Sequence, residues 1–373
     1  MIFRSKNNID WILFFSALPL VGAGLITMNM FIGENYFFQK QLIWSLVSIT
    51  IFFILSFIDF SFLKRTKFLT ILFFLSVALL STLFIVGSVF KGAQSWFNLG
   101  FFSFQPADLI KLVLILLLAK YFSKRHVEIA HIKHIFISGT YAFIFFLLVL
   151  LQPDFGSAII IFMVWFGMVL VSGISKKHIL GVSLIGVLAF VGLWGFVFEP
   201  YQKARITTFL HPLADIQGAG YNAYQSTIAI GSGQLFGKGV GFGTQSRLQF
   251  LPEHETDFIF ASFAEEWGFV GVLIIFTLFG LVIWRILVNS WQGASNFETL
   301  FGLGLVVLFI SHFFVNVGTN IGLLPVTGVT IPFMSYGGSH LLTEFIGLGI
   351  LMGMRGNSKR FHKDDLNNEF LGI

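Results

Sequence analysis

Ten long apolar stretches dominate this sequence and constrain what it can fold into. An α-helix needs roughly 20 apolar residues to cross a bilayer. Stretches near or above that length lie at 11–32, 41–60, 68–90, 106–122, 135–151, 155–174, 178–198, 257–288, 299–320 and 333–354. Only 11% of the 373 residues are charged, against about 25% in soluble domains. The sequence therefore predicts an all-α polytopic membrane protein with about ten transmembrane helices, forming a single integral membrane domain over residues 1–373.

Lysine and arginine predict the orientation of these spans. If the N-terminus is cytoplasmic, 16 of the 23 basic residues fall in cytoplasmic segments, as the positive-inside rule requires. Both termini are then cytoplasmic, and the first apolar run, which has no evident cleavage site, is a retained helix. The net charge of +5 does not indicate nucleic-acid binding, because the basic residues lie at helix ends. The absence of cysteine excludes disulfides and Cys-based metal sites.

Residues 199–256 form a predicted extracytoplasmic loop between the seventh and eighth spans, far longer than ordinary connections. Four basic residues in it run against the positive-inside rule: Lys203, Arg205, Lys238 and Arg247. A phosphate-bearing ligand would explain them, and so would attraction to the headgroups of membrane lipid. Two Pro/Gly-rich turns, at 152–156 and 323–342, lie on the same side. Together with the loop they are predicted to shape one cleft.

Five of the 18 acidic residues stand between Phe250 and Gly271, around the start of the eighth span. Asp257 lies where the loop meets the span. A carboxylate partly shielded from water is a usable general base near neutral pH. The alternative is that Thr256 or Asp257 caps the helix.

Glu265 and Glu266 lie about two turns into the same span. Carboxylates at that depth are costly and rarely face lipid. We expect each to have a functional or structural partner, and Lys111 is one base that could pair with them.

Two further pairs of charged residues lie in other spans. Asp108 and Lys111, three residues apart on one helical face, are expected to form an ion pair. His340 and Glu344 are four apart and form a second predicted couple.

Several long motifs, in order, resemble the SEDS family of shape, elongation, division and sporulation proteins over nearly the whole chain. They are FKGAQSWFNLGFFSFQPADLIKL, QPDFGSA, the segment from Arg205 through GYNAYQSTIAIGSGQLFGKG, GTQSRLQFLPEHETDFIFASFAEEWGFVG and NIGLLPVTGVTIPFMSYGGS. The stretch GTQSRLQFLPE resembles the rod-shape branch more than the division branch.

This resemblance implies a peptidoglycan glycosyltransferase of the bacterial cytoplasmic membrane. Such proteins polymerise lipid II, an undecaprenyl-pyrophosphate-linked disaccharide-peptide, at the outer face of the membrane for cell elongation and rod shape. It also implies a class B penicillin-binding protein as partner, within the cell-elongation machinery.

The matching motifs imply that Asp257 is the catalytic residue. They imply substrate-binding or supporting roles for a larger group: Arg205, Lys111, Asp108, Glu266, Gln245, Ser246 and Lys238. In the inverting transfer that we expect, Asp257 directs the proton of the acceptor hydroxyl. A loop cation or a divalent ion, Mg²⁺ or Mn²⁺, stabilises the leaving pyrophosphate.

The chain departs from the family pattern at five positions. Ser95 stands where arginine is common, Ala107 and Asp108 stand where a Ser-Glu pair is common, and His340 stands where serine is usual. Glu344 is also atypical. The missing arginine removes one expected anion contact.

Two other function classes fit the same features. Ten spans, broken backbone and intramembrane charges also occur in transporters, so a flippase for a lipid-linked precursor is one alternative. A scaffold for the penicillin-binding protein is the other. Within the family, a division or sporulation paralogue remains an alternative to the elongation role.

Overall fold

The computed structural model describes residues 9–30, 35–90, 93–98, 100, 103–124, 132–173, parts of 178–198, 200–210 and 220–371. Its α-helices are α1 Trp11–Asn29, α2 Asn35–Ser56, α3 Thr66–Val86, α4 Pro106–Ser123, α5 Ile132–Leu150, α6 Phe155–Val171, α7 Pro200–Leu210, α8 Tyr221–Ser232, α9 Thr244–Arg247, α10 Ile259–Trp291, α11 Asn296–Asn320 and α12 Gly338–Leu371. A 3-10 helix, Phe60–Lys64, precedes α3. Three strands, β1 Ser88–Phe90, β2 Ala93–Asn98 and β3 Ser103–Phe104, pair antiparallel in that order.

The predicted membrane spans are confirmed over the described parts of the chain. Nine of the ten predicted stretches there coincide with helices, and the seventh, 178–198, is described only in part. Among the described residues, six helices are long and apolar enough to cross a bilayer, and α6 is apolar but shorter. The chain is a polytopic, nearly all-helical membrane protein. The departure from an all-α fold is the small sheet, which follows α3.

Helices α4 and α11 lie at the centre of the bundle. Helix α11 packs against α4, α6 and α10, while α12 packs along α2, and α1 packs against α10. Most side chains of α4 and α11 are buried. By contrast α3 exposes Ile71, Phe74, Leu75 and Ile85. Exposure of such side chains to water would be costly, whereas in a bilayer they contact lipid.

Helix α10 is broken at Gly268, where the sequence suggested one continuous span. Gly268 has φ 63° and ψ −166°, a conformation that glycine adopts far more readily than other residues. A Cβ there would lie 2.2 Å from the backbone N of Gly237. The break is possible because segment 234–239 of the long loop lies against it.

Backbone hydrogen bonds close this break from both sides. The N–H groups of Phe269 and Val270 donate to the carbonyls of Gln234 and Leu235, at 2.9 and 3.0 Å. In return, N–H groups from residues 238 and 239 donate to carbonyls 265 and 266, both at 3.0 Å. Polar backbone groups freed at membrane depth must find partners inside the protein, and the loop supplies them. The predicted loop is therefore built into the span rather than lying apart from it.

Asp10 ties three helices together at the end of the bundle away from this loop. Its carboxylate caps α1 and accepts hydrogen bonds from Arg285 Nη2 at 2.5 Å and Asn289 Nδ2 at 2.7 Å. Arg355 Nη1 of α12 lies 3.6 Å away. Burial opposes ionisation of Asp10, but the hydrogen bonds from Arg285 and Asn289 outweigh it and hold the pKa of Asp10 below its usual value.

The Asp10 cluster predicts a pH dependence of stability. Because the pKa of Asp10 is lowered on folding, its contribution is present above the unfolded-state pKa of about 3.9 and is lost as pH falls through the folded-state pKa. We expect Asp10→Asn to melt at a lower temperature than the parent protein at pH 7. The difference in Tm should narrow below about pH 4. Thermal melts of detergent-purified protein at a series of pH values measure this, and a difference that stays constant with pH would contradict it.

Candidate active site

Asp257 lies in a turn that is fixed by hydrogen bonds to its backbone. Helix α10 begins at Ile259, with Phe258 in the N-cap position and no side-chain cap. Neither Thr256 nor Asp257 therefore occupies the N-cap position that the sequence offered as an alternative role. Instead, the carbonyl oxygen of Asp257 accepts hydrogen bonds from Asn316 Nδ2 at 2.8 Å and Asn320 Nδ2 at 2.9 Å, both on α11.

The residues just before Asp257 are held from a second direction. Ser335 Oγ donates to the carbonyl of Thr256 at 2.7 Å, and the N–H of Tyr336 donates to the carbonyl of Glu255 at 2.8 Å. Two separate elements thus fix the turn. Such preorganisation holds a reacting side chain in place without cost at the moment of reaction.

A cavity of about 790 Å³ opens beside this turn, within the size range of pockets that enclose small ligands. The charged and ionisable side chains in its lining include Asp257, Arg205, Asp108, Lys111, His312 and His340. Its walls include strand β2, the turn around Asp154, the segment 325–330 and residues of the 253–257 turn. The cleft predicted from the loop and the two Pro/Gly-rich turns is confirmed.

Arg205 approaches the cavity from α7. Its Nη1 donates to the carbonyl of Val326 at 3.4 Å, which brings the half-buried side chain against the 325–330 segment. The same segment meets Asp257, since a Cβ on Gly328 would lie 3.7 Å from Asp257 Oδ2. Asp257 and Arg205 therefore contact one short stretch of chain.

The floor of the cavity carries the predicted ion pair. Lys111 Nζ lies 3.0 Å from Asp108 Oδ1, and both side chains are buried. Ser339 Oγ donates to the other carboxylate oxygen of Asp108 at 3.1 Å. Lys111 Nζ also lies 3.4 Å from His312 Nε2. This places a buried cation at the bottom of a cavity whose rim holds Asp257.

The predicted His340–Glu344 couple is also present. His340 Nε2 lies 3.0 Å from Glu344 Oε1, and His340 Nδ1 lies 3.5 Å from Asp108 Oδ1. His340 therefore lies between Glu344 and the Asp108–Lys111 ion pair.

The structure places four other predicted site residues away from the cavity lining: Lys238, Gln245, Ser246 and Glu266. The first three contact buried Glu265. That carboxylate accepts hydrogen bonds from Lys238 Nζ at 2.7 Å, Thr244 N at 2.9 Å, Gln245 N at 3.1 Å and Ser246 N at 3.4 Å. Glu265 pairs with Lys238 rather than with Lys111, and its hydrogen bonds hold segment 238–246 of the loop against α10.

Glu266 makes fewer contacts with the same loop segment than Glu265 does. Its Oε1 accepts one hydrogen bond, from the N–H of Gly241 at 3.1 Å, and its buried Oε2 has no hydrogen-bond partner among the described residues.

Residues 9–360 match the family model FtsW/RodA/SpoVE, described as cell cycle proteins. The chain belongs to this family. The SEDS resemblance of its motifs is thereby confirmed.

Named relatives of the FtsW/RodA/SpoVE family cover most of the chain. Peptidoglycan glycosyltransferase MrdB of Escherichia coli K12 is 40% identical over 293 residues, which is 78% of this chain and 79% of MrdB. Stage V sporulation protein E of Bacillus subtilis is 34% identical over 94% of this chain and 97% of its own length.

Solved structures of relatives agree with the fold. The rod shape determining protein RodA of Thermus thermophilus has a TM-score of 0.71 at 28% identity, covering 94% of this chain and 97% of that one. A chain from a peptidoglycan synthase complex, solved in a study of the coordination of polymerisation and crosslinking, has a TM-score of 0.80 at 29% identity. It covers 94% of this chain and 98% of its own.

In this member of the FtsW/RodA/SpoVE family, sequence reasoning missed Asn316 and Asn320. Both hold the Asp257 carbonyl, and Asn316 also donates to the carbonyl of Val329 at 2.7 Å. They are two amides four residues apart inside an apolar span. That spacing puts them on one helical face, and it was a usable signal.

A metal ion was considered from the sequence as a group that stabilises the leaving pyrophosphate. Within the ranges that the structure describes, no group of three or more His, Asp or Glu side chains is arranged to hold a metal ion by itself. Because Mg²⁺ is usually held by one or two carboxylates together with phosphate oxygens of the substrate, the Mg²⁺ or Mn²⁺ considered from the sequence stays a prediction.

Proposed function

We propose that this chain is a peptidoglycan glycosyltransferase that polymerises lipid II for cell elongation. The main support for the proposal is that Asp257, Arg205 and Lys111 line the same cavity. Relatives named peptidoglycan glycosyltransferase, including MrdB at 40% identity, support the activity. The similarity to a rod shape determining protein, RodA, supports the elongation role. The FtsW and SpoVE relatives, at 33–36% identity, support the division and sporulation roles as the alternatives.

The proposed reaction joins two lipid-linked sugars. The 4-hydroxyl oxygen of the acceptor attacks the anomeric carbon of the donor glycan from the side opposite its pyrophosphate, so the configuration inverts. Asp257 takes the hydroxyl proton. The carbon–oxygen bond to undecaprenyl pyrophosphate breaks, and the electron pair leaves with the pyrophosphate, which needs no protonation.

Cations on the cavity wall and floor would stabilise that leaving group. Arg205 presents a guanidinium, which suits phosphate oxygens, and Lys111 presents an ammonium group at greater depth. Asp108 orients Lys111 rather than reacting. Gln245, Ser246, Lys238 and Glu266 support the loop that adjoins α10, and their role is positioning at a distance from the cavity.

The chain also has a proposed location and a proposed partner in the cell. The chain is a bacterial membrane protein, and we place the cavity at the extracytoplasmic face with both termini in the cytoplasm. Residues 1–373 then form one integral membrane domain with 199–256 as its large outer loop. A class B penicillin-binding protein of the cell-elongation machinery is the proposed partner, supported by the similarity to a chain of a peptidoglycan synthase complex.

Purified lipid II tests this function. The full chain, co-purified with the class B penicillin-binding protein of its own source, should convert lipid II into glycan polymer that is resolved by gel electrophoresis. The same chain alone in vesicles should not move labelled lipid II across the bilayer. Absence of polymer from a folded complex would overturn the proposal, and translocation without polymer would favour the flippase.

A further inference from the structure

The His340–Glu344 pair has no part in the reaction described above, yet it is joined to the cavity floor. His340 lines the cavity, whereas Glu344 lies behind it and accepts a hydrogen bond from the N–H of Phe333 at 2.9 Å. His340 Nε2 and Glu344 Oε1 are 3.0 Å apart but lack the angles of a hydrogen bond. At this distance the two groups attract each other when His340 is protonated and Glu344 is ionised.

The hydrogen bonds of His312 identify it as neutral. Its Nε2 faces Lys111 Nζ, which can only donate, so that nitrogen is an acceptor. Its Nδ1 then carries the hydrogen and donates to the carbonyl of Thr330 at 3.2 Å. A neutral His312 ring lies 4.6 Å from the ring of His340, an arrangement that tolerates a positive charge on His340.

Geometry assigns that positive charge to His340, because its Nδ1 faces Asp108 Oδ1 and its Nε2 faces Glu344 Oε1, and an ionised carboxylate oxygen can only accept a hydrogen bond. The floor holds two carboxylates, Asp108 and Glu344, and one lysine, all buried. An unbalanced charge at this depth would be costly. The groups that face His340 are Asp108 and Glu344 as carboxylates and His312 as a neutral ring, with Lys111 beyond Asp108. An imidazolium between the two carboxylates makes the cluster neutral.

The consequence falls on Lys111. Without His340, the carboxylate of Asp108 would be paired with Lys111 alone and would cancel its charge toward the cavity. With His340 at 3.5 Å from the same oxygen and Ser339 on the other oxygen, the charge of Asp108 is shared. Lys111 contacts Asp108 and His312 with two of its three N–H groups, which leaves the third for a ligand.

We propose that His340 is a positioning residue which, as an imidazolium held by Glu344, takes up part of the charge of Asp108, so that Asp108 cancels less of the positive charge that Lys111 presents to the pyrophosphate of the substrate. The inference rests on the proposed function and deepens it. His340 itself does not touch the substrate, because both of its nitrogens face carboxylates. Its effect is on binding of the anionic group and not on the proton transfer at Asp257.

A charge-balanced double variant separates this role from a merely structural one. His340→Gln alone leaves Glu344 unbalanced and should lower the Tm. Adding Glu344→Gln removes both charges and keeps an acceptor for the N–H of Phe333, so the Tm should return close to that of the parent. Because Asp108 then neutralises Lys111, KM for lipid II should stay about tenfold higher, the scale of one charge-assisted contact, with kcat within about twofold.

Inorganic pyrophosphate provides a second measurement. As a competitive inhibitor of polymerisation, it should bind the double variant about tenfold more weakly than the parent. Glu298→Gln is the matched control: Glu298 is an equally buried carboxylate, paired with Lys64 at 2.8 Å away from the cavity. It should lower the Tm without changing KM.

The outcomes distinguish the possibilities. A double variant with parental Tm, parental KM and parental inhibition by pyrophosphate overturns the inference while leaving the proposed function intact. If the double variant does not fold, Glu344→Gln alone decides, because an unsupported His340 becomes neutral and KM should rise by a similar factor. An unchanged KM there also overturns the inference. Failure of the parent complex to make polymer removes the proposed function itself.

Discussion

Replacement of Asp257 with asparagine should reduce the rate of lipid II polymerisation by about 10²- to 10⁴-fold, the contribution of one positioned general base. Asparagine has the same shape but cannot accept a proton at neutral pH. The backbone carbonyl of residue 257 would still accept its hydrogen bonds from Asn316 and Asn320. We therefore expect the Tm of the variant to stay within a few degrees of the parent.

Glu253→Gln is the matched control for Asp257→Asn. Glu253 lies in the same turn and lines the same cavity, and its Oε2 accepts a hydrogen bond from Thr256 Oγ1 at 3.0 Å. The amide oxygen of glutamine can accept that bond, so polymerisation should stay within a few-fold of the parent. Full activity in a well-folded Asp257→Asn protein would remove Asp257 from the chemistry.

The second large effect concerns stability. Glu265→Gln should destabilise the protein by about 2–3 kcal/mol, the scale of losing charge-assisted hydrogen bonds to a buried carboxylate. The change leaves Lys238 without its carboxylate and places an NH₂ group among the N–H donors of residues 244–246. Thermal melts in detergent and limited proteolysis of the 233–247 segment would measure the loss.

Glu266→Gln is the control for this change, since Glu266 is the next residue and is similarly buried. It accepts one hydrogen bond, from Gly241, and glutamine can keep it. We expect a cost of about 1 kcal/mol or less. If the Glu266 variant is as unstable as the Glu265 variant, the hydrogen bonds to Glu265 are not what holds the loop against α10.

Local sequence features predicted much of this molecule because they depend on near neighbours. Apolar run length predicted the spans, and helical spacing predicted the Asp108–Lys111 and His340–Glu344 pairs. The cleft followed from turns that share one side of the membrane. Asp257 itself was singled out by its motif and its place at the end of the loop, and the structure sets it on the cavity.

Contacts between residues far apart in the sequence could not be predicted from these local features. His340 meets Asp108 although more than two hundred residues separate them. Gln245 and Ser246 stood in a family motif, yet the motif could not reveal that their N–H groups bind Glu265. The break at Gly268 depends on a glycine-rich segment of the loop, and one glycine in an apolar run gives no sign of it.

The backbone pairing across Gly268 also has a consequence for how the chain is made. The two paired segments, 234–239 and 265–270, are only a few dozen residues apart, so they can meet before α11 and α12 have been synthesised. Until they do, the opened backbone at Gly268 would lack partners in lipid. We expect segment 234–239 and α10 to pair with each other first, so that α11 and α12 pack against an already paired unit during biogenesis.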